Sequence, residues 1–346
     1  MRTLPLSLLL LTAASGRAAE ADVVIYGGTA GGVAAAIQTA RMGKTVVIVE
    51  PSQHVGGLTS GGLGWTDTGN KAVIGGISRE FYQKLKAHYD KPEAWVHQKP
   101  DSYKFYRPNE DAIWAFEPKI AEATLKAMLA EAKVPVVLGE RLDRGAGGVK
   151  LDGKKIVSFK TESGKEYVGK VFVDATYEGD LMAAAGVTYT TGREANAKYG
   201  ESMNGVARKW QRHTHKFVKA VDPYVKPGDA KSGLLFGIDP DPLPADGEGD
   251  KRLQAYCYRM CLSNVPENRV PFAKPEGYDE SKYELLLRNY EAGDNRIPLK
   301  NDMMPNGKTD TNNNFAVSTD FIGQNYAYPD ASYAERDKIL KAHEVY

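Results

Sequence analysis

The stretch Val23–Ala36, VVIYGGTAGGVAAA, limits the possible folds more than any other part of the chain. A β-branched run ends at Tyr26, glycines and a threonine fill Gly27–Gly32, and an alanine-rich segment follows. That order reads as a strand buried on both faces, a sharp turn and a helix. Gly43 ends the helix, and Thr45–Val49 is a second β-branched run. The result is a βαβ unit, which requires a parallel sheet.

A glycine-rich turn between strand and helix suits a phosphate for a physical reason. The helix N-terminus offers unpaired N–H groups and a partial positive charge, and glycines let a pyrophosphate approach the backbone. The register is Gly27-x-Thr29-x-x-Gly32, with Gly28, Ala30 and Gly31 completing the turn. Thr29 takes the place of the usual middle glycine. Its side chain crowds a pyrophosphate there, although its hydroxyl is also able to bond a phosphate oxygen. Glu50 closes the second strand 18 residues past Gly32, where a carboxylate accepts from both ribose hydroxyls and repels a 2′-phosphate. A second glycine group, Gly56-Gly57 and then Gly61-Gly62, follows closely. A nicotinamide dehydrogenase has no need of it. In flavoproteins that bind two dinucleotides such a run passes beneath the flavin side of the pyrophosphate.

Pro51–Gly76 is a long glycine-rich loop, and loops of that kind are usually functional. Ser78–Tyr89 reads as a helix, Asp90–Pro108 as a charged, aromatic insertion, and Pro118 as the first residue of a helix running to about Ala132. From Val134 the period changes. VPVVLGERL, GGVKL, KIVSF and KEYVG read as short strands of a β-meander, ahead of another buried strand, KVFVDAT. Arg144–Lys150, RGAGGVK, carries glycines but reads as a turn of that meander. Pro227–Gly249 reads as a linker, 253–263 as a strand, and 280–291 and 331–346 as helices. The fold class expected is α/β: a Rossmann-like FAD/NAD(P)-binding domain with a β-meander, plus a mixed α+β substrate domain. The boundaries expected are 19–190, with an insertion at about 60–115, and 191–346.

Residues 1–18 read as a secretory signal peptide, with Arg2 as the positive n-region and Leu4–Ala14 as the apolar h-region. The run is too short to span a bilayer, and no later segment is long and apolar enough to do so. This places the mature chain in the periplasm or outside the cell. The 346 residues are 42% hydrophobic and 26% charged, as in an ordinary globular protein, and a net charge of +1 gives no field for nucleic acid.

The motifs YGGTAGGVAAA, HVGGLTSGGLGWTD, IGGISREFY, FEPKIAE, VDATYEGDLMAAAG, QAYCYRMCL and GKTDTNNN cover nearly all of the mature chain. In them the sequence resembles the FAD-dependent oxidoreductase family with the glutathione-reductase type of FAD fold. It is similar more broadly to the flavoprotein subunits of succinate dehydrogenase and fumarate reductase. Its nearest resemblance is to an exported bacterial subgroup of undefined substrate. The resemblance implies FAD as cofactor, with Gly27, Thr29, Gly31 and Gly32 at the pyrophosphate and Glu50 at the adenosine ribose. It implies His54, Gly56, Gly57, Thr59 and Ser60 on the flavin side, Ala175 and Thr176 against the cofactor, and the Leu142 backbone at the adenine. Succinate dehydrogenase-type relatives attach FAD to a histidine. His54 lies one residue further from Gly61-Gly62 than that pattern, and ordinary packing beside the pyrophosphate is the other reading.

Chemistry beside a flavin needs polar groups to orient substrate and move protons. The densest set is Pro305–Asn314, PNGKTDTNNN, which reads as a substrate loop with Lys308 or Asp310 in proton transfer and Asn312 beside them, or as an exposed loop with Asx-turns. Asp67 and Asn70 follow the flavin-side glycines and carry the same two readings; Arg79 is a further candidate, for neutralising a substrate anion. His213 and His215 form an H-x-H pair without third or fourth ligands nearby, so no metal is expected. Cys257 and Cys261, four residues apart on an expected strand, are about 13 Å from each other, too far for a disulfide. The partners expected are a small organic substrate, plausibly carbohydrate-related, and an electron acceptor left open. The alternatives are an NAD-dependent dehydrogenase and a non-redox carbohydrate-active protein that retains the fold. The chain stops inside an expected helix, which reads as the N-terminal portion of a longer protein.

Overall fold

The computed structural model describes residues 17–210, 216–317 and 319–346. Its backbone divides into two compact units. The first takes the described residues up to Gly61, with Ala72–Lys84 and Lys119–Thr188; the second takes Gly62–Lys71, Leu85–Pro118 and Tyr189–Tyr346.

The first unit holds β1 (Arg17–Tyr26), α1 (Ala30–Arg41) and β2 (Val46–Glu50). Next comes α2 (Gly76–Tyr89), whose last turn belongs to the second unit, and α3 (Pro118–Glu131). Four strands follow, β3 (Val136–Leu138), β4 (Val149–Asp152), β5 (Lys155–Lys160) and β6 (Glu166–Asp174), and then α4 (Asp180–Ala184). The strands form one sheet in the order β3-β2-β1-β6-β5-β4. β1 runs parallel to β2 and β6, and β2 parallel to β3, while β4, β5 and β6 pair antiparallel. Alternation along the strands sends Val24, Tyr26, Val47 and Val49 into a core with Leu142, Phe159, Tyr167 and Leu181. Ile25 and Ile48, both fully buried, take the opposite face, and burying each stabilises the unit by about 1.5–3 kcal/mol.

In the second unit, α5 (Glu284–Glu291), the hairpin of β7 (Leu299–Met304) and β8 (Lys308–Asn313), and α6 (Tyr333–Val345) are joined by short 3₁₀ turns. Trp95 anchors an aromatic cluster with Tyr89, Tyr103 and Tyr106, its indole N–H donating to the Tyr89 carbonyl at 2.7 Å.

Several expectations change. β3 is not part of the meander; it lies at the far edge, parallel to β2. KEYVG and KVFVD are one strand, because β1 holds residues 166–174 in line along its whole length. β1 begins at Arg17, inside the residues read as leader; residues 1–16 lie outside the described ones. The polar Pro305–Asn314 stretch is not a loop but a hairpin turn and strand. Residues 253–263 form an extended segment with isolated bridges, Met260 to Thr311 and Ser263 to Lys308, rather than a regular strand. Pro227–Gly249 is not a linker, since Leu235 is buried within the second unit. Cys257 and Cys261 are both free. His213 and His215 lie outside the described residues. Among the described residues no helix is long and apolar enough to cross a membrane, and no group of side chains is arranged to hold a metal.

Candidate functional site

The glycine turn sits at the C-terminal end of the parallel strands. Gly27 has φ +107°, and a Cβ there would come within 2.7 Å of the Thr176 nitrogen. A Cβ on Gly32 would stand 2.1 Å from the Gly27 carbonyl, so helix and turn approach only because both are glycine. Thr29 is the N-cap of α1. Its hydroxyl accepts from the Gly32 N–H at 3.3 Å and donates to the Ala175 carbonyl at 2.7 Å. The threonine therefore ties the start of α1 to the end of β6, and its proton is committed there rather than to a phosphate oxygen.

Glu50 ends β2 and is buried. Its carboxylate accepts from the Gly28 N–H at 2.5 Å and from the Ser52 N–H at 2.7 Å. An ionised carboxylate offers about four acceptor positions, so two remain for hydroxyl groups. Gly56 and Gly57 follow with φ +103° and +54°, and the Gly56 N–H donates to the Gly28 carbonyl.

These elements border a cleft of about 570 Å³, within the usual range for small-molecule sites. Of the expected residues, Gly27, Thr29, Glu50, His54, Gly57, Ser60 and Thr176 line it. Gly28, Ala30, Gly31, Gly32, Gly56, Thr59 and Ala175 are not among the residues that line it. Leu142 does not reach the cleft: it is fully buried in the core, and its N–H donates to the Tyr26 hydroxyl at 2.9 Å.

Among the lining residues that escaped the sequence reading are Tyr177, Lys119 and Glu122. Tyr177 lies over the second glycine group, its hydroxyl accepting from the Leu58 N–H at 2.7 Å and filling the space a Gly57 Cβ would need. Lys119 and Glu122 come from α3. The position of Tyr177 directly after Ala175-Thr176 was the available signal for it. His54 is exposed, with Nδ1 at 3.2 Å from Glu122. Burial disfavours the Glu122 charge, but hydrogen bonds from Lys126, His54 and the Val55 N–H outweigh it and hold the carboxyl below its usual range.

The catalytic candidates Lys308, Asp310, Asn312 and Asp67 fall in the second unit, as does Asn70, whereas Arg79 lies in the first. Lys308 pairs with Glu117 at 2.9 Å. Glu117, 2% exposed, also accepts from Asn306 at 2.8 Å and from the Tyr89 hydroxyl at 3.2 Å. Burial, with the Glu117 charge beside it, pushes the Tyr89 phenol far above its ordinary value and keeps it a donor. Asp310, 1% exposed, pairs with Arg259 at 2.5 Å and accepts from the Trp65 N–H at 3.2 Å. Asn312 accepts from its neighbour Asn313 and lies 3.7 Å from the Cys257 sulfur. Asp67 and Asn70 are exposed, and Arg79 is half-buried on α2.

The sequence profile of the FAD dependent oxidoreductase family matches residues 22–346. No curated protein matches. Among solved structures the chain is similar to the flavin-dependent brominase Bmp2, at 23% identity, 51% of this chain, 42% of that one and TM-score 0.35. It is also similar to an L-proline dehydrogenase from P. horikoshii, at 13% identity, 51% and 58% coverage and TM-score 0.31. A third likeness is to THI4 of Thermovibrio ammonificans, at 18% identity, 51% and 66% coverage and TM-score 0.31. The chain thus spans less than half of Bmp2 and about three fifths of the proline dehydrogenase. The donor set of the cleft, a helix N-terminus beside a buried carboxylate with spare lone pairs, suits the adenosine diphosphate half of a dinucleotide. The chain belongs to the FAD-dependent oxidoreductase family, and its cofactor is FAD.

Proposed function

We propose that this protein is an exported oxidoreductase that uses FAD to oxidise or reduce a small organic molecule of the carbohydrate-related class. The observation that carries the redox reading is the cleft in which the Gly27–Gly32 turn meets buried Glu50 and the Ala175-Thr176 strand end. The N-terminus of α1 would hold the pyrophosphate, and Glu50 would hold the ribose hydroxyls on its spare lone pairs. Tyr177 fixes the Gly57-Leu58 backbone that borders the cleft. FAD, when bound, supplies the two-electron chemistry. The second unit supplies substrate contacts, with Lys308 and Arg259 held by the buried carboxylates of Glu117 and Asp310.

Export is supported by the apolar Leu4–Ala14 run behind Arg2. The electron acceptor is an oxidant outside the cytoplasm, such as oxygen, a quinone or a cytochrome. The test is anaerobic addition of sugars, sugar alcohols and sugar acids to the purified protein while its flavin absorbance is followed. Bleaching by one class assigns the substrate. A protein that retains FAD but is bleached by none of them overturns the carbohydrate-related reading. Fractionation of cells expressing the whole chain tests export, with recovery only in the cytoplasm counting against it.

A further inference from the structure

The second unit contains a cleft of its own, about 710 Å³, that the FAD reading does not use. Arg252 organises one wall. Its Nε donates to Asp239 at 2.7 Å, and its Nη2 to the Asp241 carbonyl at 2.7 Å. Nη1 reaches Asp250 at 3.3 Å, and Asp250 is also clamped by Arg193. A guanidinium thus stands among two carboxylates and two carbonyls. Three of the charges on that wall are neutralised inside the protein, and with Nη2 also reaching the Pro242 carbonyl at 3.5 Å one of the five guanidinium N–H donors is left over. Asp330 also lines the cleft; it accepts from the Tyr189 hydroxyl at 3.0 Å and from the Thr191 hydroxyl at 3.2 Å, and no cation pairs with it among the described residues. Asp241 contributes its backbone to the wall and leaves its exposed carboxylate open. Tyr326, whose hydroxyl bonds Asp239, and Ile322 add an aromatic and an aliphatic surface.

We infer that this cleft binds a neutral polyhydroxylated ring, a monosaccharide unit. Each sugar hydroxyl both donates and accepts, which matches open carboxylate lone pairs in the same cleft as a spare guanidinium N–H. The ring's C–H face matches Tyr326 and Ile322. An anion is disfavoured because the two open carboxylates, Asp241 and Asp330, outnumber the one lining lysine, Lys251. The inference deepens the substrate class proposed above and rests on that reading only there.

The test is saturation-transfer NMR and calorimetric titration of the holoprotein with glucose, galactose, mannose and N-acetylglucosamine, with glucuronate as the charged comparison. At least one neutral sugar should bind with millimolar affinity, and glucuronate more weakly. Asp330→Asn should lower that affinity about tenfold by removing a charged acceptor, and Asp241→Ala should lower it several-fold without disturbing the fold, since only its backbone is used. No neutral sugar binding, tighter binding of glucuronate, or unchanged affinity in both variants overturns the inference. Flavin absorbance in the same samples separates the two readings: retained FAD without sugar binding sinks this one alone, and absent FAD counts against the redox reading.

Discussion

Glu50 shows how one side chain joins folding to cofactor binding. It holds the Gly28 and Ser52 amides and keeps lone pairs for ribose. Glu50→Ala should weaken FAD binding by about 1.5–3 kcal/mol, roughly ten- to a hundredfold, as read by flavin fluorescence titration. An unchanged affinity removes Glu50 from the ribose. Thr29 makes a parallel case. Thr29→Ala loses the cap and the bond to Ala175 and should cost about 1 kcal/mol or more in urea unfolding, while Thr29→Ser, which keeps the hydroxyl, should recover most of it. At this scale the turn was legible because its chemistry is local: strand, glycines, helix and terminal carboxylate follow in order. The direction of the Thr29 hydroxyl was not, because its acceptor, Ala175, lies 146 residues away. The bond from the Leu142 amide to the Tyr26 hydroxyl was out of reach for the same reason, at a separation of 116 residues.

Among the elements, β5, β6 and the strand ends beside them are joined by one carboxylate. Glu140 accepts from Thr161 and Ser163 and pairs with Lys165 at 2.5 Å. Burial raises its pKa, but the bonds from Lys165, Thr161 and Ser163 outweigh that and leave it below the usual carboxylate value. A lowered folded-state pKa contributes stability that is present above the unfolded value, near 4.3, and lost as pH falls through the folded one. Glu140→Gln should therefore be clearly less stable than the native chain at pH 7, and the gap between their urea midpoints should narrow below about pH 4. A gap that is constant with pH argues against an ionised Glu140. The elements also show what a sequence pattern carries. The α2 and α3 helices and the strands of the sheet were visible in their periodicity, but neighbours were not, so β3 was placed in the meander. The β8 strand was hidden by its polarity. Its Asp310 is buried only because Arg259 reaches it from a distant segment. The Asn306-Gly307 pair, both with left-handed φ, was the local sign of a hairpin that the polar residues around it obscured.

On the scale of the whole molecule, the second unit is assembled from three separated stretches of chain. A chain cut after Thr188 would keep Trp65 and Glu117 while losing Asp310, Lys308 and Asn306, to which they bond. It would leave Glu117 without its Lys308 cation and its Asn306 donor. Such a chain should elute from gel filtration as aggregate, whereas the full 346 residues should run as a discrete species. A monodisperse product would mean that the early stretches do not need those partners. The same interleaving sets a schedule for biosynthesis. Glu117 leaves the ribosome 191 residues before Lys308, a wait of about 10–40 s at ordinary rates of translation. During that interval the Trp95 cluster already has its aromatic partners, whereas Glu117 waits for the cation and the amide that neutralise and bond it in the finished chain.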